Sequence, residues 1–403
     1  MRSKQQRLRQ VFLLTNVIAF GMDRFIRTKL QVLYHLVIAM TFIDFMIGKV
    51  EASAVPRITR RIMLAMSIHS KNYLVCAILL WTTCAAVSVS AQKTQTTPKA
   101  IFVYHTDEFW LNLHHFLYVL GRAQNKTTDS SREAVMKAPA DQDKGLATLS
   151  EAERKVWNEA VAAYAAGLSK KDLVFDDPLP ELTKALAQAD ESRSLAGTSV
   201  DPATAAILQR AEPIYRKVWW PAHKRANRAW RDSIQKLVRR HGPTVLSFIT
   251  RAYGFSWPEA GYSVHISGYT NWAGAYSTKG DLLVLSSLSE GEQGLYGLET
   301  IFHEGMHQWD SQMFDAIRTQ ARLHNKFAPR GLSHALIFFT AGEAIRQVAP
   351  EHVPYAEKFG VWERGLTQFK QPLEQTWKPY LNGKGTRDEA LAELINLIGE
   401  SKP

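Results

Sequence analysis

Between residues 295 and 313 the apolar side chains recur at three- and four-residue steps, as Leu295, Leu298, Phe302, Met306, Trp309 and Met313. That period marks an amphipathic helix, which must bury its stripe against another apolar layer. Ser289, followed three residues later by Glu292, supplies a start signal. The segment IFHEGMHQWD sets His303 and His307 one turn apart. They stand about 100° round from Phe302 and Met306, so both imidazoles lie on the rim of the buried stripe. Just upstream, YSVHISG, NWAGAYST and DLLVLSS are short β-branched or aromatic runs separated by glycine and asparagine, the pattern of a small sheet. The chain must therefore pack a two-histidine helix against a small sheet.

Most of the remainder reads as helix. TDEFWLNLHHFLYVLGRA (106–123) is amphipathic through Phe109, Leu113, Phe116, Leu117 and Leu120. Its His114 and His115 face either a pocket or the ordinary helix surface. SEAERKVWNEAVAAYAAGL (150–168) opens on a Ser150/Glu153 capping box. RKVWWPAHKRANRAWRDSIQKLVRRHG reads as a long basic helix that begins or breaks at Pro221 and ends at Gly242. The expected fold class is α+β, predominantly α, with the small sheet immediately before the HExxH helix and a helical region before that.

Charge narrows the partners. The chain of 403 residues carries a formal +11, but residues 1–91 hold 12 of the 49 lysines and arginines and only 3 of the 38 acidic residues. The remainder is close to neutral, so the basic excess is a flank and not a face for nucleic acid, and no nucleic-acid partner is expected. Both cysteines, Cys76 and Cys84, lie in the same flank, which leaves residues 92–403 with no thiol. Any metal there must be held by His, Asp or Glu. Lys71, the apolar run from Tyr73 to about Val87, and Val89-Ser90-Ala91 have the order of a secretory signal, with cleavage expected after Ala91. Export to the periplasm or outside the cell is the favoured reading, and a retained membrane anchor is the alternative. Residues 1–62 are an uncertain N-terminal extension, 63–91 the signal peptide or anchor, 92–242 the helical region and 243–403 the domain that carries HExxH.

Two neutral imidazoles at one-turn spacing suit zinc, which takes three protein ligands in a catalytic site and leaves one position for water. Glu304, next to the first histidine, can lean over that water as general base. The third ligand must come from farther on. Met313 stands six residues after His307 and cannot serve. A second helix, SHALIFFTAGEAIRQV, follows a Pro329-Arg330-Gly331 break. If the first helix runs straight on and the second returns antiparallel, Glu343 comes level with His307. A salt bridge to Arg346 or a solvated face is the competing explanation of that carboxylate. His334 lies nine residues before Glu343, about 180° round the helix, so the two cannot share one metal. His334, at the helix start, is expected to be exposed.

With HEGMH and GEAIRQ, residues 262–360 resemble the gluzincin metallopeptidases, the thermolysin-like group. That resemblance implies a zincin-like domain over 243–403, one Zn2+ held by His303, His307 and Glu343, and Glu304 as catalytic base. It also implies a peptide or protein substrate laid along the edge of the sheet. Asp310 and Glu299, one turn after His307 and one turn before His303, are candidates to support the ligating imidazoles. His352, Tyr355 and Tyr380 are candidates to stabilise the oxyanion, with Tyr355 preferred. The expected function is that of an exported zinc metallopeptidase. The alternatives are a zinc-binding protein without proteolytic activity and a membrane-tethered helical binding module with a chance HExxH. The oligomeric state is not legible.

Overall fold

The structure, a computed structural model, describes residues 100–125, 139, 141–191, 194–278 and 282–400. The expected signal segment, its cleavage site and the N-terminal extension lie outside the described residues. No described helix is long and apolar enough to cross a membrane.

The three expected strands form: β2 (Tyr262–Ser267), β3 (Ala275–Thr278) and β4 (Leu282–Ser286). They follow β1 (Phe102–His105), which the sequence reading did not anticipate. The sheet order is β1-β2-β4-β3. β1 and β4 run parallel to β2, whereas β3 pairs antiparallel to β4 at the outer edge, with Ala275 opposite Leu285 and Thr278 opposite Leu282. Every residue of β4 is buried, as a strand covered on both faces requires. Leu283 and Leu285 point with Val264 and Ile266 into one core, and Leu282 and Val284 point with Tyr276 into the other. This is the two-residue alternation of a strand. The mixed, mostly helical α+β architecture thus has the sheet as its middle layer.

Helices α1 (Phe109–Asn125), α2 (Gln142–Leu146), α3 (Glu151–Ala166), α4 (Leu179–Ala187) and α5 (Pro202–Val218) precede β2. The Ser150/Glu153 capping box opens α3 with both of its hydrogen bonds made. α1, α3, α4 and α5 supply the core on one side of the sheet. His114 and His115 belong there too: both are fully buried, His114 against the Tyr164 hydroxyl at 3.0 Å and His115 against the Tyr276 hydroxyl at 2.7 Å. Burial pushes the His114 ring down to about 3 and His115 well below its ordinary range. Neither lies on a helix surface.

α6 (Trp220–Tyr253) runs straight through the expected stop at Gly242, so the expected domain boundary falls inside a helix. All described residues belong to one compact unit, Gln95–Pro403. Gly242 is there for close approach: a Cβ would come within 2.9 Å of Ile101 Cδ1. The helix ends instead at Gly254, whose φ of 72° is the left-handed cap that glycine favours.

The other core side is built from α6 with α7 (Gly294–Met306), α8 (Asp310–Leu323) and α9 (Leu332–Arg346). The short helices α10 (Tyr355–Lys358), α11 (Thr367–Pro372) and α12 (Lys378–Leu381) follow, then α13 (Arg387–Ile398). The HExxH helix is not one straight rod. α7 stops at Met306, a 3₁₀ turn occupies His307–Trp309, and α8 sets off from Asp310. That break decides which residue of α9 meets the two histidines.

Candidate metal centre

α9 is apolar almost all round and lies antiparallel to α7. Near its start, His334 Nε2 is 3.3 Å from His303 Nε2; near its end, a Cβ on Gly342 would lie 3.4 Å from Glu299 Oε1. His334 therefore stands opposite His303, and Glu343 lies about 13 Å farther along α9 at 1.5 Å per residue. The ring centroids of His303, His307 and His334 form a near-equilateral triangle with sides of 5.2, 5.3 and 5.2 Å. One ligating nitrogen from each lies within 4.8 Å of the others. Two nitrogens bound tetrahedrally at ~2.0–2.1 Å from one ion sit about 3.3 Å apart. The His303–His334 distance already has that value, so the site fits a four-coordinate divalent ion.

The expected position of Glu343 needs correction. Its Oε1 accepts a hydrogen bond from Arg346 Nη1 at 2.7 Å, and Lys378 Nζ lies 3.7 Å away. It is not part of the histidine group. The choice between His334 and Glu343 was indeed exclusive, because half a turn separates them. It falls to His334, since the 3₁₀ turn redirects the chain after His307. Gly342 serves Pro354, whose Cβ would stand 2.6 Å from an added Cβ.

The surroundings prepare the imidazoles. His307 Nδ1 lies 2.8 Å from Asp310 Oδ2, which keeps the proton on that nitrogen and leaves Nε2 free. Burial and the neighbouring His307 and His334 hold His303 far below its ordinary range, while His334, exposed as expected at the helix start, is lowered by the atoms around its ring and by the charge of His307. Burial also opposes the charged form of His307, but the Asp310 hydrogen bond and the Glu304 carboxylate outweigh it and raise the ring. His303 and His334 are thus neutral donors at physiological pH. Phe338 closes the apolar side, with its ring 4.1 Å from His303 and 4.7 Å from His334.

Glu304 is 7 % exposed, and its Oε2 makes no hydrogen bond within the protein. Burial raises its carboxyl above the ordinary range, an effect the His307 charge partly offsets. Its backbone carbonyl accepts from Ser277 Oγ at 3.0 Å, which ties edge strand β3 to the helix.

The other expected site residues have different employment. Glu299 does not support His303. Its carboxylate takes His352 Nε2 at 2.6 Å and the Tyr355 backbone N–H at 3.0 Å. That commits His352 to the interior. The Tyr355 hydroxyl lies 3.3 Å from Glu292 Oε1 and 3.5 Å from the Ala273 carbonyl. Tyr380 donates to the Ala252 carbonyl at 2.9 Å and so pins the end of α6.

The Ser289–Glu292 spacing predicts a helix start, but Gln293 is the cap of α7 and Glu292 is fully buried beside Gly274 and Tyr355. Burial is the main reason its carboxyl rises to about 8, with Glu304 and Glu299 adding to it. Because the folded value lies above the unfolded one, its stabilising protonated form is lost as pH climbs from ordinary carboxylate values through 8. Glu292→Gln does not titrate and is expected to exceed the wild type in stability at pH 9 by roughly 2–4 kcal/mol. Near pH 4 the gap should close, as urea melts at the two pH values would show.

No family model, no characterised protein and no solved structure matches this chain.

Proposed function

We propose that the chain is a zinc-dependent metallopeptidase with a zincin-like arrangement, exported by its N-terminal signal and acting on peptide or protein substrates. The observation that carries the reading is the imidazole triangle with Glu304, in the residue next to His303, whose Oε2 is buried without a hydrogen-bond partner. Its ligand set of three histidines differs from the two-histidine, one-glutamate set that the gluzincin resemblance implied. Bound among these rings, zinc would acidify a water molecule and polarise a substrate carbonyl.

The chain's own residues do the remaining work. The Glu304 carboxylate accepts the proton of the attacking water and passes it to the amine nitrogen as the C–N bond breaks. Its raised affinity for protons suits both halves of that transfer. Asp310 holds His307 in the tautomer that offers Nε2. Among the described residues strand β3 pairs only with β4, so its outer backbone N–H and C=O groups remain for an extended peptide, held there by main-chain hydrogen bonds. Ser277 fixes that edge to the helix that carries Glu304.

The direct test is hydrolysis of an unstructured protein such as casein. A strong chelator should abolish it and one equivalent of Zn2+ should restore it; cleavage that survives complete metal removal contradicts the proposal. Asp310→Asn, which keeps the shape but weakens the acceptor, is expected to lower zinc affinity ~10–100-fold with the fold unchanged. Competition with a zinc indicator measures that loss.

A further inference from the structure

A second group of donors stands away from the triangle and plays no part in the chemistry above. We propose that His105, Glu108 and His265 form a second, structural site for a divalent transition-metal ion of the zinc class. His105 ends β1 and His265 is its registered partner on the parallel strand β2. Partners in register on parallel strands project from the same face, and these rings stack at 4.6 Å with 10° between their planes. Glu108, just before α1, reaches over both. Its carboxylate oxygens lie 2.8 and 2.9 Å from His265 Nδ1, and Oε1 lies 3.9 Å from His105 Nδ1. One donor atom from each of the three falls within 4.8 Å of the others.

The chemistry of the set favours a metal over an ordinary ion pair. Glu108 is only 13 % exposed, and among the described residues no lysine or arginine pairs with it. Arg228 and Lys224, which could have done so, are drawn to the neighbouring Asp107 instead. Two imidazoles and one carboxylate are a donor set that zinc accepts, with a fourth position open to water. Lone pairs of imidazole lie in the ring plane, so two stacked rings cannot both address one ion as they stand. The His105 side chain is 38 % exposed and free to turn about its Cβ–Cγ bond, which brings its nitrogen toward Glu108. The ion would fasten edge strand β1, only four residues long, to β2 and to the start of α1.

The test is a metal count on the full chain, saturated with Zn2+ and then desalted. Wild type should carry two ions, His265→Ala one and His334→Ala one. Should His265→Ala fail to fold, His105→Ala, which removes a more exposed ring, must show the same loss. A wild type that carries one ion lost in His334→Ala, or a second ion that persists in both His105→Ala and His265→Ala, overturns the proposal. One ion that survives His334→Ala but not His265→Ala would uphold it while refuting the triangle, so the two sites fail independently. As a second readout, Zn2+ should raise the melting temperature of His334→Ala more than that of His334→Ala/His265→Ala.

Discussion

Glu304→Gln is expected to keep its zinc and to lose hydrolysis by roughly 10²–10⁴-fold, the usual contribution of a positioned general base. The amide fills the same space beside His303 but cannot take a proton. Loss of the fold will not explain the result. The Glu304 carboxyl is raised by burial, so its ionised form weakens the folded state as pH rises from ordinary carboxylate values through the raised one. Glutamine lacks that charge, and the variant should melt at or above the wild-type temperature at neutral pH. The same shift places the acid limb of the wild-type rate profile above the ordinary glutamate range. A variant that retains full activity would remove Glu304 from the chemistry, and one that loses its zinc would mean that the carboxylate serves as a ligand.

His334→Ala is expected to weaken zinc binding at the triangle by more than the ~10–100-fold that a lost supporting hydrogen bond costs, because it removes one of three protein donors. Activity should fall with it, and added Zn2+ should restore only part. The paired variant is Glu343→Gln. It breaks the ion pair of a buried carboxylate with the partly exposed Arg346 and should cost about 1–3 kcal/mol of stability, yet leave zinc affinity unchanged. The sequence resemblance implied the opposite ranking. Isothermal titration with Zn2+ on both proteins decides which residue completes the triangle.

Much of this was legible from residue order. YSVHISG and DLLVLSS read as strand because they are short β-branched or aromatic runs set between glycine and asparagine, and the Ser150/Glu153 spacing encodes a cap that forms as written. Strand β1 escaped notice because FVYH is too short to show a period. Gly242-Pro243 looks like a stop, but Gly242 answers a tertiary contact with Ile101 that no local pattern announces.

The third donor was missed for a comparable reason. Periodicity fixes which side of α9 a residue occupies and correctly sets His334 against Glu343. The register between α7 and α9, however, depends on the 3₁₀ turn at His307–Trp309, and a one-turn change of direction outweighs any estimate made for straight helices. Glu292 illustrates the same limit: a glutamate at a plausible cap position is drawn into the interior by packing around Gly274 and Tyr355.

X-ray absorption at the zinc edge, on a His265→Ala background so that one site reports, addresses the triangle most directly. Three imidazole nitrogens and one oxygen at ~2.0–2.1 Å are expected, with one imidazole fewer in His334→Ala. A first shell of two imidazoles and a carboxylate that disappears in Glu343→Gln, or a protein that holds no zinc at all, would contradict it.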